Sequence, residues 1–228
     1  MPGIRRVGHR GAGADEPQNT IRSFERAIAL GVDMVETDVR QSRDGALALA
    51  HDAAIRGGGR ALTVAEHDLQ TLRSLDLGHG ERIPALAEAL AVVRGRCGLM
   101  IDLKGEGFEA ELVAAIRASE LLCDQIVVPG GSLRSRTRIR ELDPKILLSL
   151  SLDADWDARI TPEFIAHIDT DAVTWEHPLI TPERVARLHD RGLFIYTWTV
   201  DDLDTMCRVI DAAVDGVITN QPALFAQL

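Results

Sequence analysis

Along the chain, short apolar runs alternate with longer stretches in which apolar positions recur every three or four residues. The short runs, at 4–8, 32–38, 99–103, 125–128, 145–150, 171–175, 193–198 and 215–219, read as strands covered on both faces. The stretches near 20–30, 84–94, 108–119, 133–142, 161–168, 181–190, 201–213 and 221–228 read as helices. Thr161-Pro162-Glu163 and Thr181-Pro182-Glu183 each place a capping hydroxyl before a proline at the first helical position. Gly31 and Gly192 fall where helices should end. Eight such alternations predict an α/β chain whose parallel strands close into a (β/α)8 TIM barrel. An open doubly wound sheet is the alternative, but no GxGxxG follows the first strand.

One stretch breaks the alternation. Asp44-Gly45 between two extended runs signals a two-residue hairpin. Residues 39–51 then rise above the barrel mouth, with Arg43 facing Ala46 and His51 facing Asp38. Residues 52–83, which include Gly57-Gly58-Gly59, form an excursion too small for a second domain, so 1–228 is expected to be one domain.

Composition narrows the function classes. With 228 residues, 46% of them hydrophobic and 26% charged, the chain has the make-up of a globular protein. The formal net charge of −10 opposes nonspecific binding to nucleic acid, and no apolar run is long enough for stable membrane insertion. Cys97, Cys123 and Cys207 fit neither a disulfide framework nor a zinc ribbon. The opening residues lack a signal-peptide pattern, which makes cytoplasmic the expected location. Oligomeric state is not written in any of these features.

In a barrel of this kind, chemistry collects at the carboxyl ends of the strands. Strand one ends in Gly8-His9-Arg10-Gly11, strand two carries Glu36 and Asp38 on one face, and strand three ends in Asp102-Leu103-Lys104. The hairpin delivers His51-Asp52, and Trp175-Glu176-His177, Trp198 and Thr219-Asn220 close later strands. Three converging carboxylates repel one another unless protonated or bound to a cation, and an all-oxygen set suits Mg2+ or Ca2+. A single acid of this kind often just pairs with Lys or Arg, as Lys104 would allow. His9 and His51 across such a cluster can divide acid and base roles. Arg10 and Lys104 suit phosphate oxygens. The combination outlines a metal-assisted phosphodiesterase.

His9-Arg10-Gly11, Pro17-Gln18-Asn19-Thr20 with Ser23-Phe24, Gly31-Val32-Asp33, Glu36-Thr37-Asp38-Val39, Asp44-Gly45 and His51-Asp52 resemble the opening of the glycerophosphodiester phosphodiesterase family. Ile83-Pro84-Ala85-Leu86, Trp198-Thr199-Val200-Asp201 and the run from Val214 through Asn220-Gln221-Pro222 resemble its later segments. The resemblance implies a barrel that hydrolyses a small-molecule glycerophosphodiester to an alcohol and glycerol 3-phosphate with a divalent metal, Mg2+ or Ca2+. It implies His9 and His51 as the acid–base pair, Glu36 and Asp38 as metal ligands, and Arg10 and Lys104 on the phosphate. Asp102 stands where the family usually has Glu as third ligand, a change shared with toxin-type phospholipase D enzymes. Trp198 is expected at the mouth, where an aromatic wall suits a choline-like head group. Asp33 and Asp52 are expected to orient neighbouring groups. Further departures are Gln18 for Glu, Asn220 for Asp, Val128-Pro129-Gly130-Gly131 for a Ser-Phe pair, and a shortened 52–83 insertion.

Other readings divide on few features. Lysophospholipase D-like action on lipids would call for exposed aromatics, and the chain has only five Phe, three Trp and one Tyr. A Schiff-base aldolase on Lys104 leaves the acids and histidines unused. A non-catalytic phosphate-binding barrel leaves His9 and His51 without a purpose. His67 and His79 are expected on the surface or in a lid, and His167 and His189 on helices away from the mouth.

Overall fold

A computed structural model of the chain describes residues 3–152 and 169–228. The expected helix at 161–168, with its Thr161-Pro162-Glu163 start and His167, lies outside the described residues.

Eight parallel strands form the barrel: β1 (Arg5–Gly8), β2 (Met34–Gln41), β6 (Gly98–Leu103), β7 (Ile126–Val128), β8 (Leu147–Leu152), β9 (Ala172–Glu176), β10 (Phe194–Trp198) and β11 (Gly216–Thr219). β1 pairs with both β2 and β11, which closes the ring. The fold is therefore the predicted (β/α)8 barrel. Around it lie α1 (Ile21–Ala29), α3 (Leu86–Val93), α4 (Glu109–Ala118), α5 (Leu133–Leu142), α6 (Pro182–His189) and α7 (Leu203–Asp211). The expected helix at 221–228 is a 3-10 segment, Pro222–Gln227. Thr20, Thr181 and Asp202 cap α1, α6 and α7 through their side-chain oxygens.

Val7, Met34, Met100, Val127, Ala172, Tyr196 and Ile218 fill the barrel interior. The opposite strand faces pack on the helices, with Val35, Leu99, Leu112 and Ile139 on one side and Val173, Ile195 and Val209 on the other. At the amino-terminal end of the strands, Asp33, Asp171 and Asp215 accept backbone N–H groups of Arg6, Leu148 and Ile195 at 2.8, 2.8 and 2.7 Å. Asp33 also pairs with the Arg6 side chain. It thus orients Arg6 and ties strands together at the end of the barrel opposite the mouth, not at the site.

The hairpin rises from β2 and returns as β3 (Leu47–Leu49), antiparallel, but its register differs from the expected one. Gly45 lies at φ +84° and Asp44 does not take positive φ, which both two-residue hairpin turns require at their first central residue, so neither forms. A three-residue turn forms instead, with Ser42 N–H donating to Ala46 O at 2.9 Å. Every pair then shifts by one: Ala50, not His51, faces Asp38, donating its N–H to Asp38 O at 3.0 Å. The 52–83 excursion holds a small hairpin, β4 (Ala54–Gly57) and β5 (Arg60–Thr63), and a short helix, α2 (Leu69–Leu72). Ile55, Val64, Leu72, Leu75 and Ile83 bury a satellite core against Ala48 and Ala50.

Candidate active site

Register brings the acids together. β2 and β6 pair so that Asp38 sits beside Asp102, and Glu36 lies one step below on the same face of β2. Glu36 and Asp38 are 4% and 1% exposed. One oxygen from each of Glu36, Asp38 and Asp102 can be chosen so that all three lie within 4.8 Å of one another. Burial, then the charges of Asp38 and Asp102, push the Glu36 carboxyl well above its usual range. Burial also raises Asp102, although the Lys104 ammonium opposes it at 2.8 Å. Three crowded acids with an unfavourable charge and only oxygen donors fit a hard divalent cation.

Asp38 is the most tightly held of the three. Arg10 Nε lies 2.9 Å from its Oδ2 and Lys104 Nζ 3.3 Å from its Oδ1. Asn19 Nδ2 donates to Oδ2 at 2.9 Å, while Asn19 Oδ1 accepts from Thr37 Oγ1 and from the Asp38 N–H. Asn19 came into view only as part of a motif; its place on Asp38 depends on the 11–20 loop folding back onto β2. Arg10 also donates its backbone N–H to Glu36 Oε2 and its Nη1 to Gln18 Oε1. Asp102 fits beside β7 because Gly130 has no side chain: a Cβ there would overlap Asp102 Oδ1.

The two histidines are oriented differently. His9 Nδ1 lies 2.8 Å from Asn220 Oδ1, and Asn220 Nδ2 donates to Asp201 Oδ2 at 2.7 Å. A carboxylate only accepts, so the Asn220 nitrogen faces Asp201 and its oxygen faces His9. His9 Nδ1 is then the donor, and Nε2, 3.9 Å from Glu36 Oε2, carries a lone pair in the neutral ring. Burial lowers the His9 pKa, with the Asn220 hydrogen bond opposing it in part. His51 Nδ1 lies 2.7 Å from Asp52 Oδ1, a pair whose side chains are 43% and 78% exposed. That hydrogen bond holds the Asp52 carboxyl below its usual range.

His9, His51, Arg10, Lys104, Trp198, Glu36, Asp38 and Asp102 all line one cavity of about 290 Å³ at the carboxyl ends of the strands. Met100, Leu103, Pro129, Gly130, Ser151, Thr174 and Ile218 complete its wall. Ser151 reaches it because β8 runs from Leu147 to Leu152, two residues later than expected at 145–150. Glu176 and His177 do not line the cavity; the His177 carbonyl instead accepts from Arg208 of α7 at 2.9 Å. His189 pairs with Asp215 at the far end, and half-buried His67 bonds the Thr63 carbonyl, both away from this cavity. Among the described residues, no helix is long and apolar enough to cross a membrane.

Such a cavity can hold a phosphate between a cation site, two basic side chains and two imidazole Nε2 atoms. The model of the glycerophosphoryl diester phosphodiesterase family matches residues 9–224. A glycerophosphodiester phosphodiesterase of Caldanaerobacter subterraneus subsp. tengcongensis is 29% identical, over 97% of this chain and 96% of that one. Two solved structures share the fold. That of glycerophosphodiester phosphodiesterase from Agrobacterium tumefaciens superposes with a TM-score of 0.87 at 24% identity, covering 99% of this chain and 100% of that one. That of an Oleispira antarctica phosphodiesterase, in complex with its product sn-glycerol-3-phosphate, gives 0.84 at 23% identity over 98% and 95%.

Proposed function

Because this chain belongs to the glycerophosphoryl diester phosphodiesterase family, we propose that it hydrolyses glycerophosphodiesters to an alcohol and glycerol 3-phosphate by acid–base catalysis between His9 and His51. The observation that carries this reading is the convergence of both imidazoles, three carboxylates, Arg10 and Lys104 on one cavity. The product named for the Oleispira antarctica phosphodiesterase is the one expected here.

His9 is the base of the first step. Its Nδ1–H is committed to the Asn220 oxygen, and burial favours the neutral ring, so Nε2 is free to accept a proton. It takes that proton from the glycerol hydroxyl next to the ester carbon, and the oxygen attacks phosphorus. His51, its Nδ1 held by the Asp52 carboxylate, is the acid of this step and gives the Nε2 proton to the departing alcohol oxygen. The P–O bond to the head group breaks and a cyclic glycerol phosphate remains. In the second step the roles reverse. His51 takes a proton from water, the hydroxide attacks phosphorus, and His9 protonates the ring oxygen that leaves. Both histidines return to their starting states. Arg10 and Lys104 neutralise the phosphoryl oxygens.

Glu36, Asp38 and Asp102 would hold a divalent cation, Mg2+ or Ca2+, which would supply Lewis-acid polarisation of the phosphoryl group. Arg10, held by Asp38 and Gln18, would offer its remaining N–H groups to the phosphate. Trp198 forms the wall toward the leaving alcohol. The test is release of glycerol phosphate from a panel of glycerophosphodiesters, with Mg2+, with Ca2+ and with chelator. Chelator-sensitive release is expected, and His9→Ala and His51→Ala should each lower kcat by roughly 10²- to 10⁴-fold. Turnover that survives both substitutions would overturn the assignment. Absence of any turnover, with phosphate binding kept, would favour a binding barrel.

A further inference from the structure

Arg40 continues the alternation of Glu36 and Asp38 along β2, so it belongs to the same face, one step above the acids. Its Nε donates to the His51 carbonyl at 2.9 Å and its Nη1 to the Lys104 carbonyl at 2.6 Å. Among the described residues, no ion pair joins Arg40 to a carboxylate, so its charge is directed at two backbone oxygens instead.

The two ends of this bridge are not equally secure. Lys104 N–H also donates to Val39 O at 3.0 Å, which extends the β2–β6 ladder and holds that backbone without help. The His51 segment has left its ladder. Ala50 N–H makes the last bond to β2, and the next backbone bond along the chain is Val64 N–H to Ala53 O at 2.8 Å. Between them the His51 carbonyl is held by Arg40. The imidazole itself leans on Asp52, which is largely in solvent. His9, by contrast, is braced by Asn220 and Asp201.

We propose that Arg40 is a positioning residue which, anchored on the Lys104 carbonyl, fixes the His51 backbone so that the imidazole meets the leaving-group oxygen. This rests on the role given to His51 above. A planar guanidinium suits the task because its fork reaches two carbonyls at a set angle, which the single ammonium of Lys does not. Misplacing a reacting group by about 1 Å can cost roughly 10²-fold in rate.

The test compares kcat for two substrates that differ only in leaving group: sn-glycero-3-phosphocholine and the p-nitrophenyl ester of glycerol 3-phosphate. The nitrophenolate needs no proton to depart, so loss of the acid spares it. His51→Ala should shift the ratio of the two kcat values strongly against the choline ester. Arg40→Gln and Arg40→Lys should shift it in the same direction, by roughly tenfold or more. Damage to phosphate binding or to folding lowers both substrates together and leaves the ratio unchanged. A shift with His51→Ala and none with either Arg40 variant would overturn the inference alone. An unshifted ratio with His51→Ala would overturn the role of His51, and the inference with it.

Discussion

The side-chain oxygen of Asn220 accepts from His9 Nδ1 at 2.8 Å while its nitrogen donates to Asp201 at 2.7 Å. The amide is thus read in one orientation only, and it settles which ring nitrogen of His9 faces the cavity. An aspartate at this position would place a negative charge on the same Nδ1 and favour the charged ring. Asn220 fixes the tautomer, leaving Nε2 as the accepting nitrogen of the neutral ring, while burial favours that neutral form.

The pH profile follows from the burial of that ring. Burial holds the His9 pKa below the ordinary value of about 6.5. A base works only when unprotonated, so the acidic limb of kcat/KM should lie below that value. Asn220→Asp should move the limb to higher pH, because the added charge raises the pKa. Steady-state rates between pH 4.5 and 8 check both; an unmoved limb would show that another group sets it.

The acid cluster makes a prediction for the metal-free protein. Glu36 has its pKa raised by burial and by its neighbours' charges, so the folded state holds a proton that the unfolded state releases. Its contribution to stability is full below about pH 4.5 and is lost as pH rises through the raised value. Melting of chelated wild type against Glu36→Gln should therefore diverge with rising pH, the variant becoming the relatively more stable. Added Mg2+ or Ca2+ should raise the wild-type Tm and leave the variant's unchanged.

Asn19 should matter through Asp38. Asn19→Ala leaves the Asp38 and Thr37 groups without their buried partner, at a cost of about 1–3 kcal/mol. Metal affinity should fall roughly 10- to 100-fold, as for lost support of a ligand. Urea melts and calorimetric metal titration measure the two effects. Unchanged affinity would show that Arg10 and Lys104 suffice to orient Asp38.

Gly130 is placed by a steric constraint. It lies at φ +71°, and a Cβ would overlap Asp102 Oδ1. Gly130→Ala should cost about 1–2 kcal/mol from the backbone conformation, and should weaken metal binding further by displacing Asp102. The combined variant with Asp102→Ala should show no added loss of metal affinity from Gly130→Ala, since the displaced group is gone.

The thiols of Cys97 and Cys207 should differ in reactivity. Burial raises the Cys97 pKa to about 11, whereas Cys207 is exposed. At pH 8, iodoacetamide should label Cys207 and spare Cys97 in the native protein, with both labelled in denaturant. Peptide mapping by mass spectrometry reads each site.

The alternation of apolar runs and amphipathic stretches leaves two packings, a barrel and an open doubly wound sheet, and the absence of a GxGxxG after the first strand points to the barrel of eight strands. The same pattern places His9, Glu36, Asp38 and Asp102 at strand ends, and so at one mouth. It does not determine the hairpin register, since Asp44-Gly45 is compatible with turns of two and three residues, and only the backbone angle at Asp44 separates them. It also does not show which polar side chains meet across loops. Asn19 on Asp38, Asn220 on His9 and Arg40 on the His51 carbonyl are contacts between residues 11 to 211 positions apart. Local periodicity carries no information at that separation. Tertiary structure alone brings these partners within hydrogen-bond distance, and it thereby decides how each reactive group is oriented.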